Sequence, residues 1–227
     1  MMISILGDSV STLEAYNPQG YRVFYDTYKQ YENEIRFHTD TWWGKVIQAL
    51  NGDLCINNSY SGSKVTGGVF PSASSVIRCN SLHTPLNYPD IILINIGDND
   101  FGNGVPISHH RLSSSKDLSC FTDAYEVMLD SITHNYPDAA IVYATLVRSY
   151  IKDSNWNFPE SFAGVPLEEY NQAIRKLKKR KNCYLADIGA NDFRYETLDG
   201  SHPTKLGHQQ FADIWIRHLK QLGFDLS

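Results

Sequence analysis

The chain has 227 residues, 42% apolar and 20% charged, with a formal net charge of -5, enough for one large domain with a substantial core and only just two. The acidic balance speaks against nucleic acid, which requires a clustered basic surface, and no stretch approaches the roughly 20 consecutive apolar residues that span a membrane. Cys55, Cys79, Cys120 and Cys183 are scattered without a C-x-x-C pair, so neither a zinc knuckle nor a disulfide framework is indicated.

The first apolar run, "MISIL" (2–6), stops at Gly7 and is followed at once by Asp8 and Ser9. It lacks a basic leader and is too short for the core of a signal peptide. It reads as a first strand, and the chain as given is expected to be cytoplasmic, or extracellular or periplasmic if a leader was removed. A long aromatic segment follows, with Tyr16, Tyr21, Phe24, Tyr25, Tyr28 and Tyr31, before "TWWGKVIQAL" places Trp43, Val46, Ile47 and Leu50 on one helical face. "DLCIN" (53–57) is a second strand, ending in "NNSYSGSKV" around Gly62. "DIILINI" (90–96), apolar almost throughout as for a strand covered on both faces, ends in "GDND" (97–100). Phe121, Tyr125, Met128 and Ile132 mark a helix before the strand "AAIVYATL" (139–146). Leu167, Tyr170, Ile174 and Leu177 mark another, on which the basic run Arg175–Lys181 is expected to form a solvated face. "NCYLADI" (182–188) is a fifth strand. "DGSHPTKLGH" (199–208) then opens a last helix carrying Phe211, Trp215, Leu219 and Leu222.

Strands alternating with helices, with few hairpin signals, point to a doubly wound α/β sheet with helices on both faces. No linker or repeat divides the chain, so one domain over 1–227 is expected. In such sheets ligands bind beyond the carboxyl ends of the strands, and four of the five ends carry polar motifs. Each alone is ordinary turn chemistry. Together they supply what acyl transfer by serine requires: a nucleophile, a base, a group that orients the base, and donors for the oxyanion. Ser9 is the candidate nucleophile, His202 the base and Asp199 its orienting acid. The backbone N–H groups of Ser9 and Gly62 and the side-chain amide of Asn99 are the candidate oxyanion donors. Asp8 is expected to bond neighbouring backbone N–H groups and hold the loop, and His208 to pack or cap.

The order "GDS", a Gly-centred block, "GxND" and "DxxHP" closely resembles the GDSL-type, or SGNH, hydrolases, across residues 7 to 203. The resemblance implies a flavodoxin-like three-layer α/β/α fold with a parallel sheet of about five strands. It also implies ester hydrolysis without a metal or other cofactor, with Ser9, Gly62, Asn99 and His202 as the name-giving residues and Asp199 completing the triad. Val10 stands where the family has leucine. Asn57, Asn58 and Ser59 compete for the asparagine of the second block, so only Gly62 is carried over. Family members act on lipid esters, thioesters and acetylated carbohydrates, and some transfer the acyl group to an acceptor other than water.

Three rivals are weaker. An aspartyl-phosphate enzyme built on Asp8 wants a second acid where Val10 stands. A two-metal phosphoesterase on Asp8, Asp98, Asp100 and His202 needs further ligands, for which His109 and His110 are the only extra candidates. A binding module that has lost catalysis sits poorly with a filled triad. The aromatic segment follows Ser9 directly and is too long for a minimal connection. It is either a wall of the substrate pocket, with Tyr21 and Tyr25 facing the substrate, or an arm packed on the domain or a second subunit. In the first case Glu14, Arg22, Asp26 and Lys29 face solvent. The insertions 101–118 and 147–165, the latter around Trp156, also rim the expected site. The partner is a small-molecule ester; the oligomeric state is left open.

Overall fold

The computed structural model describes residues 1–28, 34–108 and 115–226. The five expected strands are present: β1 (Met2–Gly7), β2 (Asp53–Ser59), β3 (Ile91–Asn95), β4 (Ala140–Ala144) and β6 (Cys183–Ala186). They form one parallel sheet in the order β2-β1-β3-β4-β6. Alternation along each strand sorts the side chains between two cores. Ile3, Ile5, Leu93 and Val142 pack with Trp42 and Trp43 of helix α1 (Trp42–Ala49) and with Phe211 and Trp215 of α6 (Lys205–Gln221). Leu6, Ile92, Ile94 and Ile141 pack on the other face, against α4 (Phe121–Asn135) and α5 (Leu167–Arg175). The result is a three-layer α/β/α arrangement.

Short helices α2 (Val76–Asn80) and α3 (Asp98–Gly102) follow the loops after β2 and β3. Two elements were not anticipated. β5 (Arg148–Ile151) and β7 (Arg194–Thr197) pair in parallel as a separate two-stranded sheet, which carries the chain toward the 199–203 turn. The basic run also departs from expectation, because only Arg175 belongs to α5. Continuing the helix would stack like charges four apart, Arg175 on Lys179 and Lys176 on Arg180, which opposes helix formation. Arg175 instead bonds both oxygens of Asp187, at 2.9 Å each. All four cysteines are free thiols, with Cys183 alone half-buried.

Candidate active site

Ser9 opens a 3₁₀ turn directly after β1. Asp8 caps that turn, its Oδ1 accepting from the Val10 N–H at 3.1 Å, the backbone role expected of it. In the sheet β1 lies between β2 and β3, with Gly7 level with Ser59 on one side and Asn95 on the other. The loops carrying Gly62 and Asn99 therefore flank the loop carrying Ser9. The Gly62 loop is tied to it, Tyr60 N–H donating to the Gly7 carbonyl at 3.1 Å, and the two flanking loops are tied to each other, Asn99 Nδ2 donating to the Ser63 carbonyl at 3.0 Å. Gly62 holds φ at +82°, a backbone conformation open mainly to glycine. The second Asn99 hydrogen has only Asp8 Oδ2 at 3.4 Å, a long contact that a developing oxyanion can replace. Asp100 binds the same loop from beneath, accepting from Val65 N–H, Thr66 N–H and the Thr66 hydroxyl.

Asp199 and His202 arrive from the far side, on the turn after β7. Asp199 Oδ1 accepts the backbone N–H groups of Ser201 and His202, at 3.0 and 2.9 Å. Its Oδ2 lies 2.7 Å from His202 Nδ1, and His202 Nε2 lies 2.9 Å from Ser9 Oγ. With the Nδ1 proton held toward Asp199, Nε2 is left to take the Ser9 proton. Burial would raise the Asp199 carboxyl, but the hydrogen bonds from His202 and Ser201 hold it at about 2. Gly200 is required in this turn, since φ is +93° and a Cβ would sit 3.0 Å from the Trp156 ring.

The carboxyls of Asp8 and Asp98, in the loops around Ser9, behave oppositely. Burial, then Asp98 and Asp100, push Asp8 well above the ordinary range, against the Val10 N–H and the Arg78 charge. Burial and the neighbouring Asp100 raise Asp98 to about 7. Among the described residues no group of three His, Cys, Asp or Glu side chains could hold a metal ion; His109 and His110 lie outside them.

The aromatic segment divides. Phe24 stacks flat on His202, with ring centroids 3.4 Å apart. Tyr25 does not line a pocket: it is 1% exposed and donates its hydroxyl to the Pro203 carbonyl at 2.8 Å. Its ring points into the core because the adjacent Phe24 takes the site side, so that assignment is corrected to an anchor for the histidine turn. Tyr21 packs edge-on against Tyr60 and Phe70, near the Gly62 turn. Glu14 and Arg22 are exposed and Asp26 is half-buried; Lys29 and Tyr31 lie outside the described residues. His208 is fully buried, its Nδ1 accepting the Trp42 N–H at the start of α1 at 3.1 Å.

The space beside Asp199 is a cleft of about 360 Å³. Trp156, Phe158 and Phe162, all from the 147–165 insertion, line it together with Phe101, Asn99 and Asp199. The sequence shows where that insertion lies, but not which of its rings, or which of Phe24 and its neighbours, face the site, because irregular segments offer no periodicity to sort inward from outward rings.

Residues 1–181 match the family described as GDSL-like lipase/acylhydrolase. That span holds Ser9, Gly62 and Asn99, whereas Asp199 and His202 lie beyond it. A multidomain esterase of Ruminococcus flavefaciens is 26% identical over 170 residues, 71% of this chain, and the chain matches 20% of that relative's length. Among solved structures, a GDSL-like lipase from Bacteroides ovatus superposes with a TM-score of 0.72 at 25% identity, covering 97% of this chain and 98% of the other. A family two carbohydrate esterase from Clostridium thermocellum, in complex with cellohexaose, shares the fold at a TM-score of 0.57 and 18% identity, over 98% of this chain and 65% of its own.

Proposed function

The chain belongs to the GDSL-like lipase/acylhydrolase family, and from that premise we propose that it hydrolyses a small carboxylic ester through Ser9, His202 and Asp199. The observation that carries this reading is the continuous line from Asp199 Oδ2 through the His202 ring to Ser9 Oγ, with separations of 2.7 and 2.9 Å. Ser9 Oγ attacks the ester carbonyl carbon while His202 Nε2 takes its proton, a transfer worth roughly 10²–10⁴ in rate. The carbonyl oxygen becomes an oxyanion facing the N–H groups of Ser9 and Gly62 and the Asn99 amide. His202 then gives its proton to the departing alcohol, leaving an acyl-Ser9. Water, deprotonated by the same imidazole, attacks the acyl carbon and releases the acid, and His202 returns the proton to Ser9 Oγ.

The cleft favours an amphipathic ester, such as an acetylated carbohydrate or a short acyl ester. Trp156 and Phe158 offer flat apolar faces, while Asn99, Asn103 and Asp98 supply polar groups to its lining. The cellohexaose-bound carbohydrate esterase of the same fold is consistent with a sugar there. The test sets p-nitrophenyl esters of increasing chain length beside acetylated oligosaccharides, with wild type and Ser9→Ala. Acetyl release that disappears in Ser9→Ala, with thermal stability retained, and organophosphonate labelling of Ser9 are expected. Labelling of another serine, or full activity in Ser9→Ala, overturns the reading.

A further inference from the structure

Arg78 has no part in the chemistry above, yet it is 0% exposed and lies directly behind the nucleophile loop. Its Nε donates to the Asn58 side-chain carbonyl at 2.6 Å and its Nη1 to the Pro71 carbonyl at 2.6 Å. Its Nη2 donates to the carbonyls of Gly7 and Asn58, at 2.9 and 2.7 Å. All four acceptors are neutral, and none of the ion pairs among the described residues includes Arg78. Burial pulls the guanidinium down to about 10, so it remains a cation at neutral pH. Removing such a charge from water is costly unless its hydrogen bonds are made in full.

The four acceptors have one thing in common: they frame the two loops that bear the backbone oxyanion donors, those of Ser9 and Gly62. Gly7 leads into Asp8 and Ser9, and its carbonyl also accepts the Tyr60 N–H. Asn58 is the next-to-last residue of β2, just ahead of the Gly62 turn. Pro71 lies on the chain returning from that turn. A planar group with donors in a fixed fork can hold several carbonyls at set angles, which an ammonium on a flexible stem cannot.

We propose that Arg78 is a positioning residue for ester hydrolysis, clasping the Ser9 and Gly62 loops so that both backbone N–H groups meet the oxyanion. The inference rests on Ser9 being the nucleophile. Its loss acts on the transition state, because a small misplacement of catalytic groups lowers rate far more than ground-state binding.

The experiment compares wild type, Arg78→Lys, Arg78→Met and Ser9→Ala. Rates are expressed per Ser9 titrated by an organophosphonate, so that unfolded protein does not count. In both Arg78 variants kcat is expected to fall by on the order of 10²-fold with KM little changed. The inhibition constant of a trifluoromethyl ketone, whose adduct with Ser9 carries the oxyanion, should rise by the same factor as kcat/KM falls. In the wild type, the Arg78 Nε–H resonance should shift when that adduct forms, a readout that needs no variant. Unchanged kcat per titrated site, or a resonance indifferent to the adduct, overturns the inference. Activity surviving in Ser9→Ala instead overturns the nucleophile assignment, so the two failures are distinct.

Discussion

The imidazole of His202 lies flat against the ring of Phe24, the centroids 3.4 Å apart and the planes 2° from parallel. Phe24 is itself stitched to the nucleophile turn, its N–H donating to Thr12 Oγ1 at 2.8 Å while that hydroxyl donates to the Ser9 carbonyl at 2.9 Å. One short segment therefore sets the orientation of the His202 ring relative to Ser9. Phe24→Ala removes the surface that keeps the His202 ring in plane. We expect kcat to fall by about 10-fold to 10²-fold, with a smaller change in KM and a modest loss of melting temperature. Steady-state kinetics with calorimetry decides it; kcat within twofold of wild type makes the stack ordinary packing.

Asn99 spends one amide hydrogen on Ser63 and holds the other in a long contact with Asp8. If that second hydrogen meets the oxyanion, Asn99→Ala lowers kcat by about 10²–10³ with little effect on KM, since the donor acts mainly in the transition state. An unchanged kcat reduces Asn99 to a tie between the two loops.

His208 supplies a pH dependence of stability. Burial, with Lys45 nearby, pulls its imidazole down to about 3 in the folded protein, against about 6.5 in an unfolded chain. Between those values the unfolded state takes up a proton that the folded state refuses. Its contribution is therefore fully present above about pH 6.5 and is lost as pH falls toward 3, by about 1.4 kcal/mol per pH unit within that window. Asp98, raised to about 7, runs the other way and loses stability as pH rises toward that value, so the measurement must be a difference. Urea unfolding of wild type and His208→Gln at pH 7 and pH 4.5 should show the wild type's advantage shrinking at the lower pH. A constant difference would falsify the assignment.

The two aromatic positions that could choose the substrate separate cleanly. Trp156 lines the cleft, whereas Tyr25 anchors Pro203 from the core. Trp156→Ala should raise KM for a bulky ester more than for p-nitrophenyl acetate. Tyr25→Phe leaves the Pro203 carbonyl without its partner and should cost about 1 kcal/mol of stability, with the ranking of esters unchanged. The kcat/KM ratio of the two esters, measured beside the melting temperature, tests both, and a shifted ranking in Tyr25→Phe would return that ring to the substrate wall.

What the sequence determined by itself was whatever is local in the chain. Apolar runs such as "DIILINI" (90–96) declare buried strands, and parallel strands leave their carboxyl ends on one edge. That places Ser9, Gly62 and Asn99 on loops at one edge of the sheet, whereas their being neighbours there follows from the strand order β2-β1-β3, which the tertiary structure decided. Asp199 and His202 lie three residues apart in one turn, so their pairing was legible for the same reason. The tertiary structure decided what depends on direction and distance. Phe24 and Tyr25 are consecutive aromatics in an irregular segment, and only packing sends one ring onto His202 and the other beneath Pro203. β5 and β7 are four residues each, too short and too polar to announce a sheet. Arg78 reads in the sequence as one more basic residue, because the four carbonyls that bury its charge come from three segments that meet only after the chain has folded.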